Sequence, residues 1–202
     1  MHDEERRPAV RPLINIEGEL VALGPLRRDL MSTYQQWMNH FPTVHNLGTH
    51  PRPITPEQEE SWYEAATKRQ DAADFTMYER ASWRPIGNTG LMEINLLHRT
   101  AVFGILIGEP DMRGKGYGTE ATRLVLDYAF TVLSLHSVHL TTDQHNLAGQ
   151  YAYRKAGFIE CGRQRQNRLK AGVYHDTILM DCLASEFTSP VLARLLAPDD
   201  PR

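Results

Sequence analysis

A short stretch with two cations and three glycines, Arg113 to Thr119, has the composition of a phosphate-binding turn. Glycine lets the backbone approach a ligand closely because it has no Cβ. The first N–H groups of a helix have no partner within the helix and attract anions, and Arg113 and Lys115 add positive charge. If a helix begins here, the stretch predicts binding of phosphate or pyrophosphate, although a glycine-rich stretch alone is more often a plain turn.

The flanking sequence predicts that this turn joins a strand to a helix. Residues 101–107 form an apolar run rich in strand-forming types. Beyond the turn, apolar residues recur at spacings of three and four, which is the pattern of one helix face: Ala121, Leu124, Val125, Tyr128, Ala129, Val132 and Leu133. The glycines therefore stand where a new helix exposes its free N–H groups.

Two common phosphate-binding patterns do not fit this turn. A P-loop needs a glycine at position 109 and a Ser or Thr after Lys115, but the chain has Glu109 and Gly116 there. A dinucleotide fingerprint starting at Gly114 needs a third glycine where Thr119 stands. A nucleotide-phosphate switch is therefore excluded as a function.

The pattern that fits is Arg-x-x-Gly-x-Gly, from Arg113 to Gly118. It resembles the pyrophosphate-binding motif of the GNAT acyltransferase superfamily, whose members bind acetyl-coenzyme A (acetyl-CoA). A second segment strengthens the resemblance: Asn146 is a good helix N-cap, Gly157 suits the residue after a helix end, and Tyr153 stands four residues before the Gly157-Phe158 pair, as in the family. The likeness covers roughly residues 18–184 and is strongest to the Rim-type N-terminal acetyltransferases and the spermidine acetyltransferases.

The resemblance implies roles for individual residues. Tyr153 is implied as the general acid for the leaving thiolate; a packing role, or confusion with Tyr151, is the alternative. Glu93, on a strand that faces the cleft in this fold, is a candidate base acting through a water. A surface carboxylate, with an amine that arrives neutral, fits equally well. In the family a strand bulge frees backbone donors for the pantetheine arm and the thioester oxygen, and the implied cofactor contacts are Leu106, Ile107, Gly108, Arg113, Gly114, Lys115, Gly116, Tyr117, Gly118, Thr119, Asn146, Gly149 and Lys155.

The elements in chain order agree with this fold. Strands are predicted near 19–23, 75–78, 85–94, 100–108, 137–142, 158–161 and 177–183, and helices near 28–38, 56–69, 121–133, 147–156 and 191–196. With the resemblance they predict an α/β (α+β) GNAT fold: a mixed, mostly antiparallel sheet of about seven strands with helices on both faces. We expect a loose leader over 1–16, one acetyltransferase domain over 17–185, and a short helix and tail over 186–202.

Composition excludes several other classes of function. The 202 residues suit one domain, and a net charge of −3 with a pI near 6.3 does not favour nucleic-acid binding. The sequence predicts no membrane segment or signal peptide, and two free cysteines, which together favour the cytoplasm. His45 and His50 lie in an aperiodic loop over 41–56, and His40 immediately precedes it, but that loop lacks Cys or acidic ligands, so no metal is expected.

The acceptor is left open between a small-molecule amine, such as an antibiotic or a metabolite, and a peptide N-terminus. The 41–56 loop, implied to form one wall of the acceptor cleft, offers no carboxylate, and residues 163–170 are basic, which argues against a polyamine. Trp37, Trp62 and Tyr63 are candidates to line a site for an amine with apolar character. A homodimer is possible. The alternative function is a non-catalytic sensor that binds a CoA ester; the presence of Tyr153 favours the enzyme.

Overall fold

The computed structural model describes residues 11–45, 47–48 and 51–197. Positions 1–10, most of the expected leader, and His50 therefore lie outside the described residues. The strands are β1 (Ile16–Glu17), β2 (Val21–Pro25), β3 (Ala73–Glu79), β4 (Pro85–Asn95), β5 (Thr100–Ile107), β6 (Ser137–Asp143), β7 (Ile159–Lys170) and β8 (Val173–Leu183). The helices are α1 (Met31–Asn39), α2 (Phe41–Val44), α3 (Pro56–Lys68), α4 (Tyr117–Asp127), α5 (Leu147–Ala156) and α6 (Leu192–Leu195).

Within the described chain the strands form one sheet in the order β1-β2-β3-β4-β5-β6-β8-β7. All neighbours pair antiparallel except β5 and β6, which are joined through α4 and pair parallel, as the strand–helix–strand pattern predicts. The mixed, mostly antiparallel sheet is confirmed. It has eight strands rather than about seven because Ile16 and Glu17 form a short edge strand opposite Leu23 and Ala22.

The main core lies between one face of the sheet and α4. Phe75, Leu91 and Phe103 point to this face, where they pack with Leu124 and Val125 of the predicted apolar helix stripe. The opposite face of β3 to β5 is covered by α1 and α3; Tyr34 of α1 reaches down to hydrogen-bond Thr76 Oγ1 at 2.6 Å. The sheet therefore has helices on both faces, and the cavities described below open on either side of β5.

Several element bounds differ from the sequence predictions. The first long strand begins at Val21 because three backbone N–H groups, of Glu19, Leu20 and Val21, are held by the Glu120 carboxylate. The 41–56 loop contains the short helix α2. The helix predicted to end at 133 continues beyond Asp127 as a π-helical turn over Tyr128–Val132. Within the described part of the chain, no helix is long and apolar enough to span a bilayer.

The C-terminal segment packs on the domain. Asp127, which is completely buried, accepts hydrogen bonds from the N–H groups of Val191 and Leu192 at 3.0 and 2.8 Å. Leu192 is itself part of the core cluster. A buried carboxylate with several donors is well satisfied, so this contact anchors the chain just before α6.

Candidate active site

The parallel strands β5 and β6 diverge, and the gap between them opens the sheet. Over the described chain, their pairing is limited to Thr100–Val102 of β5 with Ser137–His139 of β6. From Phe103 to Ile107, β5 keeps β4 as its antiparallel partner. One edge of β5 is therefore left with backbone groups that face the gap.

Strand register decides which N–H groups of β5 are free. The Gly108 N–H donates to Ile86 O at 2.9 Å, on the β4 side. Because groups alternate along an antiparallel strand, the Leu106 N–H also points to β4, whereas those of Ile105 and Ile107 point into the gap. Arg113 Nη2 donates to Ile107 O at 3.1 Å, which places the Ile107 carbonyl on the same open side.

The expected donors at Leu106 and Gly108 are therefore corrected. No bulge is needed to free a donor, since the register runs without a shift from Met92↔Val102 to Gly87↔Ile107, and the irregularity lies between Met92 and Asn95. Gly108 is instead covered by Trp37, because a Cβ at this position would lie 2.1 Å from the indole ring. Ile107 keeps its expected place, and Ile105 is a donor that sequence analysis missed.

The glycine-rich turn leads into α4 as predicted. Gly114 and Gly116 have φ angles of 72° and 90°, which favour glycine, and Gly116 is the N-cap of α4. Arg113 also donates to Thr43 Oγ1 at 2.8 Å, which ties the turn to α2. Free N–H groups at the start of an eleven-residue helix, beside a guanidinium, form a site suited to pyrophosphate.

Two residues predicted for this turn point elsewhere. The Tyr117 hydroxyl donates to Glu79 Oε1 at 2.5 Å, and its ring packs against the core, so its side chain does not face the cleft. Lys115 is exposed and is absent from the cavity lining. Gly118 and Thr119 do line the cleft.

The second predicted segment forms α5 on the other side of the gap. Asn146 caps the helix by accepting from the Gly149 N–H at 3.1 Å, and its amide donates to Thr142 Oγ1. A Cβ at Gly149 would lie 2.4 Å from the Asn146 amide nitrogen, so the glycine is needed to accommodate this cap. Lys155 lies over the Tyr151 ring, with its Nζ 4.8 Å from the ring centroid.

Tyr153 is held in a fixed orientation by aromatic neighbours. Its ring meets Phe103 and Phe158 nearly edge-on, with centroid distances of 6.1 and 6.2 Å. Burial raises the pKa of Tyr153 to about 12, so the phenol is protonated at neutral pH and can donate a hydrogen bond. Tyr151, the alternative tyrosine, is 62% exposed.

These groups line one cavity, which we call the larger cavity, of about 790 Å³. It runs through the gap between β5 and β6, from the start of α4 to α5. Of the predicted cofactor contacts its lining includes Leu106, Ile107, Arg113, Gly114, Gly116, Gly118, Thr119, Asn146, Gly149 and Lys155, together with Tyr153. It does not include Gly108, Lys115 or Tyr117.

A second cavity, the smaller cavity, of about 450 Å³, lies between the sheet and helices α1 and α3. Gly90 of β4 pairs with Gly104 of β5 beneath this cavity, and neither has a side chain to fill it. Asp74 of β3 is next in the same row of the sheet. Five residues line both cavities: Leu47, Met92, Gly104, Ile105 and Leu106. The two cavities therefore meet at the open edge of β5, beside the free Ile105 N–H.

The smaller cavity contains a buried carboxylate that sequence analysis missed. Glu59, on α3, is only 4% exposed, and its carboxylate has no hydrogen-bond or salt-bridge partner among the described residues. Burial raises its pKa to about 7. In sequence it is one of several acids in the first turns of α3, and only the packing of α3 on the sheet distinguishes it from exposed Glu57 and Glu60.

Glu93, the predicted base, does not line either cavity. It is exposed and has a left-handed φ of 51°, at the irregularity where β4 loses register with β5. Its neighbour Met92 occupies the cleft instead. The prediction assumed a regular strand, and the local bulge places the carboxylate at the surface.

Other expectations about the acceptor wall are partly corrected. The 41–56 loop does line the smaller cavity, through Val44, Leu47, Pro51, Arg52 and Ile54. Of the three aromatic candidates only Trp62 lines it, because Trp37 is buried over Gly108 and Tyr63 lies beneath the Arg28 guanidinium. In the basic segment, Lys170 and Arg168 pair with buried Asp143 rather than facing the acceptor.

Replacing Glu59 with glutamine is expected to make stability less dependent on pH. The pKa of Glu59 is raised above its unfolded value, so its contribution to stability is complete below pH 4.5 and is lost as the pH rises through 7. A shift from 4.5 to about 7 corresponds to about 3 kcal/mol. Between pH 5 and pH 8, urea unfolding should therefore show the free energy of unfolding of the native protein falling, relative to that of Glu59→Gln, by up to that amount. An unchanged difference at the two pH values would contradict this, and Glu60→Gln, on the exposed side of α3, is the matched control.

Comparison with known proteins agrees with this geometry. The family model described as "Acetyltransferase (GNAT) domain" matches residues 21–159. The spermidine N(1)-acetyltransferase of Escherichia coli K12 is 35% identical over 126 residues, which are 58% of this chain and 67% of that protein. The alpha/beta-tubulin-N-acetyltransferase 9 of Drosophila melanogaster is 30% identical over 165 residues, 73% of this chain and 80% of the relative. The crystal structure of spermidine N-acetyltransferase from Vibrio cholerae with CoA and spermine superposes with a TM-score of 0.76 at 27% identity, covering 83% of this chain and 97% of that one.

Proposed function

The chain belongs to the GNAT acetyltransferase family, and from that premise we propose how its own residues perform the reaction. It is an acetyl-CoA-dependent N-acetyltransferase that acts on an amine. The larger cavity binds acetyl-CoA, the smaller cavity binds a small primary amine, and the amine attacks directly in a ternary complex. The observation that carries this assignment is the shared wall at Gly104, Ile105 and Leu106, where the two cavities meet.

The cofactor is held by backbone and by one cation. The N–H groups at the start of α4, with Arg113, bind the pyrophosphate. The free N–H of Ile107 lies between that site and the junction of the cavities, so it binds the pantetheine arm. The free N–H of Ile105 lies at the junction and binds the thioester oxygen. Asn146 remains the cap of α5, and Gly149 leaves room for it.

The reaction requires an uncharged amine and a good leaving group. The new C–N bond forms as negative charge develops on the thioester oxygen, where the Ile105 N–H stabilises it. The C–S bond then breaks, and the Tyr153 hydroxyl donates to the departing sulfur. An ammonium that becomes an amide loses two protons; one ends on the sulfur of CoA and the other leaves through a base.

We also propose that the protein works in a reducing compartment such as the cytoplasm. Cys161 is exposed and Cys182 is buried, and neither is in a disulfide in the described structure. An exposed free thiol suits a reducing environment. The proposal is independent of the catalytic assignment.

Release of free thiol from acetyl-CoA should require an added amine. The panel comprises amino acid amides, aminoglycoside and nucleoside antibiotics, polyamines and short peptides with free N-termini. Because the smaller cavity is of small-molecule size, we expect turnover on a small amine in preference to peptides. Tight binding of acetyl-CoA with no amine-dependent thiol would contradict the enzyme and favour a non-catalytic sensor.

A further inference from the structure

Building on the proposed function, we propose that the acceptor is a compact monoamine with an apolar body, rather than a polyamine. Its ammonium group pairs with Glu59, and an acceptor oxygen on the same molecule receives a hydrogen bond from the side-chain amide of Asn88. Both groups line the smaller cavity.

Glu59 is the carboxylate in the lining of this cavity that has no cationic partner. The other carboxylate in the lining, Asp74, is already paired with Arg69 at 3.0 Å. Arg52 adds a second positive charge at the exposed rim. Burying an unpaired carboxylate is costly, so its presence in a cavity indicates a cationic ligand group.

This charge balance discriminates against a polycation. One ammonium group can pair with Glu59. Further ammonium groups would have no free carboxylate, because Asp74 is paired with Arg69. They would also lie near two positive side chains, Arg52 and Arg69. Like charges close together in a poorly solvated site are unfavourable. Spermidine acetylation, named for several relatives, therefore does not carry over to this cavity.

Helix packing places Glu59 at the reacting end of the cavity. The chain entering α3 lies against the end of α1, because Ile54 O accepts from Gln35 at 2.8 Å and from Asn39 at 2.9 Å. The same end of α1 carries Trp37, which covers Gly108 just after β5. Glu59, in the first turns of α3, is therefore on the β5 side, where the cavities join.

The Arg69–Asp74 pair lies at the opposite end. Arg69 follows the last residue of α3, and Asp74 stands on β3, two strands away from Gly104. With strands about 4.8 Å apart, this separation is about 10 Å. The nitrogen that pairs with Glu59 is thus close to the junction, and for a monoamine it is the nitrogen that reacts, once the Glu59 carboxylate has taken the proton that the ammonium must lose.

The remaining lining specifies the rest of the acceptor. The Asn88 Nδ2 atom is buried and has no hydrogen-bond partner among the described residues, so rotation of this side-chain amide toward the cavity would satisfy it with an acceptor atom of the ligand. The rest of the wall is mainly apolar: Leu26, Met38, Val44, Ile54, Trp62 and Met92. A cavity of about 450 Å³ accepts a body of about one aromatic ring and its substituents.

The test compares three probes in the thiol-release assay: L-phenylalaninamide, phenethylamine and spermidine. Phenylalaninamide has one ammonium, one carbonyl oxygen and a ring; phenethylamine lacks the oxygen. We expect kcat/KM for phenylalaninamide to exceed that for spermidine at least about tenfold. Glu59→Gln should lower it by about 10- to 100-fold, the size of a lost hydrogen bond to a charged group. Asn88→Ala should reduce the rate with phenylalaninamide but leave phenethylamine unchanged.

The possible outcomes test the monoamine assignment and the acetyltransferase function separately. Glu60→Gln is the matched control, since Glu60 faces Arg28 on the outer side of α3. Affinity for acetyl-CoA, measured by calorimetry, should be the same in all variants. Preference for spermidine, or full activity in Glu59→Gln, would overturn the monoamine assignment while the acetyltransferase stands. No thiol release with any amine would refute the proposed function itself.

Discussion

Replacing Tyr153 with phenylalanine is expected to lower kcat by roughly 100-fold or more, the usual size of a lost general acid. In the proposed mechanism the hydroxyl donates to the sulfur as the C–S bond breaks, and phenylalanine removes that donor alone. Because the ring packs edge-on against Phe103 and Phe158, the variant keeps its aromatic contacts and its fold. Steady-state kinetics with a saturating amine provides the measurement.

Binding and pH dependence distinguish this role from a packing role. Calorimetry should show acetyl-CoA affinity within about threefold of the native value, since the interaction lost is made mainly in the transition state. The pKa of Tyr153 is about 12, so its ionisation should cause no loss of activity below about pH 11. Tyr151→Phe, two residues away in the lining of the same cavity but 62% exposed, is the matched control and should retain full kcat. An unchanged kcat in Tyr153→Phe would remove the residue from the mechanism.

The backbone turns of the proposed cofactor site could be predicted from sequence because their determinants are local. The glycines before α4 and the Asn146 cap act through the backbone within a few residues of themselves, so spacing along the chain specifies their geometry. The role of Tyr153 is implied by the family resemblance, and the cap and terminal glycine of α5 define the helix on which it stands. Such features need little knowledge of tertiary packing.

The acceptor half could not be predicted, because its determinants are tertiary. Glu59 differs from Glu57 and Glu60 only in the face of α3 that packs inward, and that face is set by contacts with α1. Glu93 is expected in the cleft because its strand faces the cleft in the GNAT fold, but its own positive φ places the carboxylate at the surface. A charge run such as 163–170 gave no sign that Lys170 would pair with Asp143, 27 residues earlier.

The backbone N–H group that stabilises the thioester oxygen could not be predicted from sequence either. Alternation along β5 makes each N–H either a ladder donor or a free donor, and a shift of one residue exchanges the two sets. Sequence located the end of β5 to within one residue but could not give its register against β4. The Gly108–Ile86 hydrogen bond supplies that register and selects Ile105.

Replacing the Ile105 amide with an ester is therefore expected to reduce kcat by about 100- to 1,000-fold, the cost of removing one oxyanion donor. Incorporation of the matching α-hydroxy acid changes the N–H to an oxygen and keeps the side chain. Because this N–H faces the gap rather than β4, no donor of the strand ladder is lost; only the Gly104 carbonyl, which accepts from Thr89 Oγ1, becomes a weaker acceptor, so stability should change little. The measurements are single-turnover acetyl transfer and urea unfolding of the same sample.

The same replacement at Leu106 provides the matched control, with the opposite pair of effects. The Leu106 N–H points to β4, so its loss should weaken the ladder and lower the free energy of unfolding by about 1 kcal/mol. Transfer of the acetyl group should continue at nearly the native rate, since no donor to the thioester is removed. A large kinetic loss at Leu106 together with none at Ile105 would show that the alternation inferred from Gly108 is wrong. A kinetic loss at Ile105 together with a stability loss at Leu106 would show that strand register determines the catalytic donor. No side-chain substitution can test this, because the donor is a backbone group.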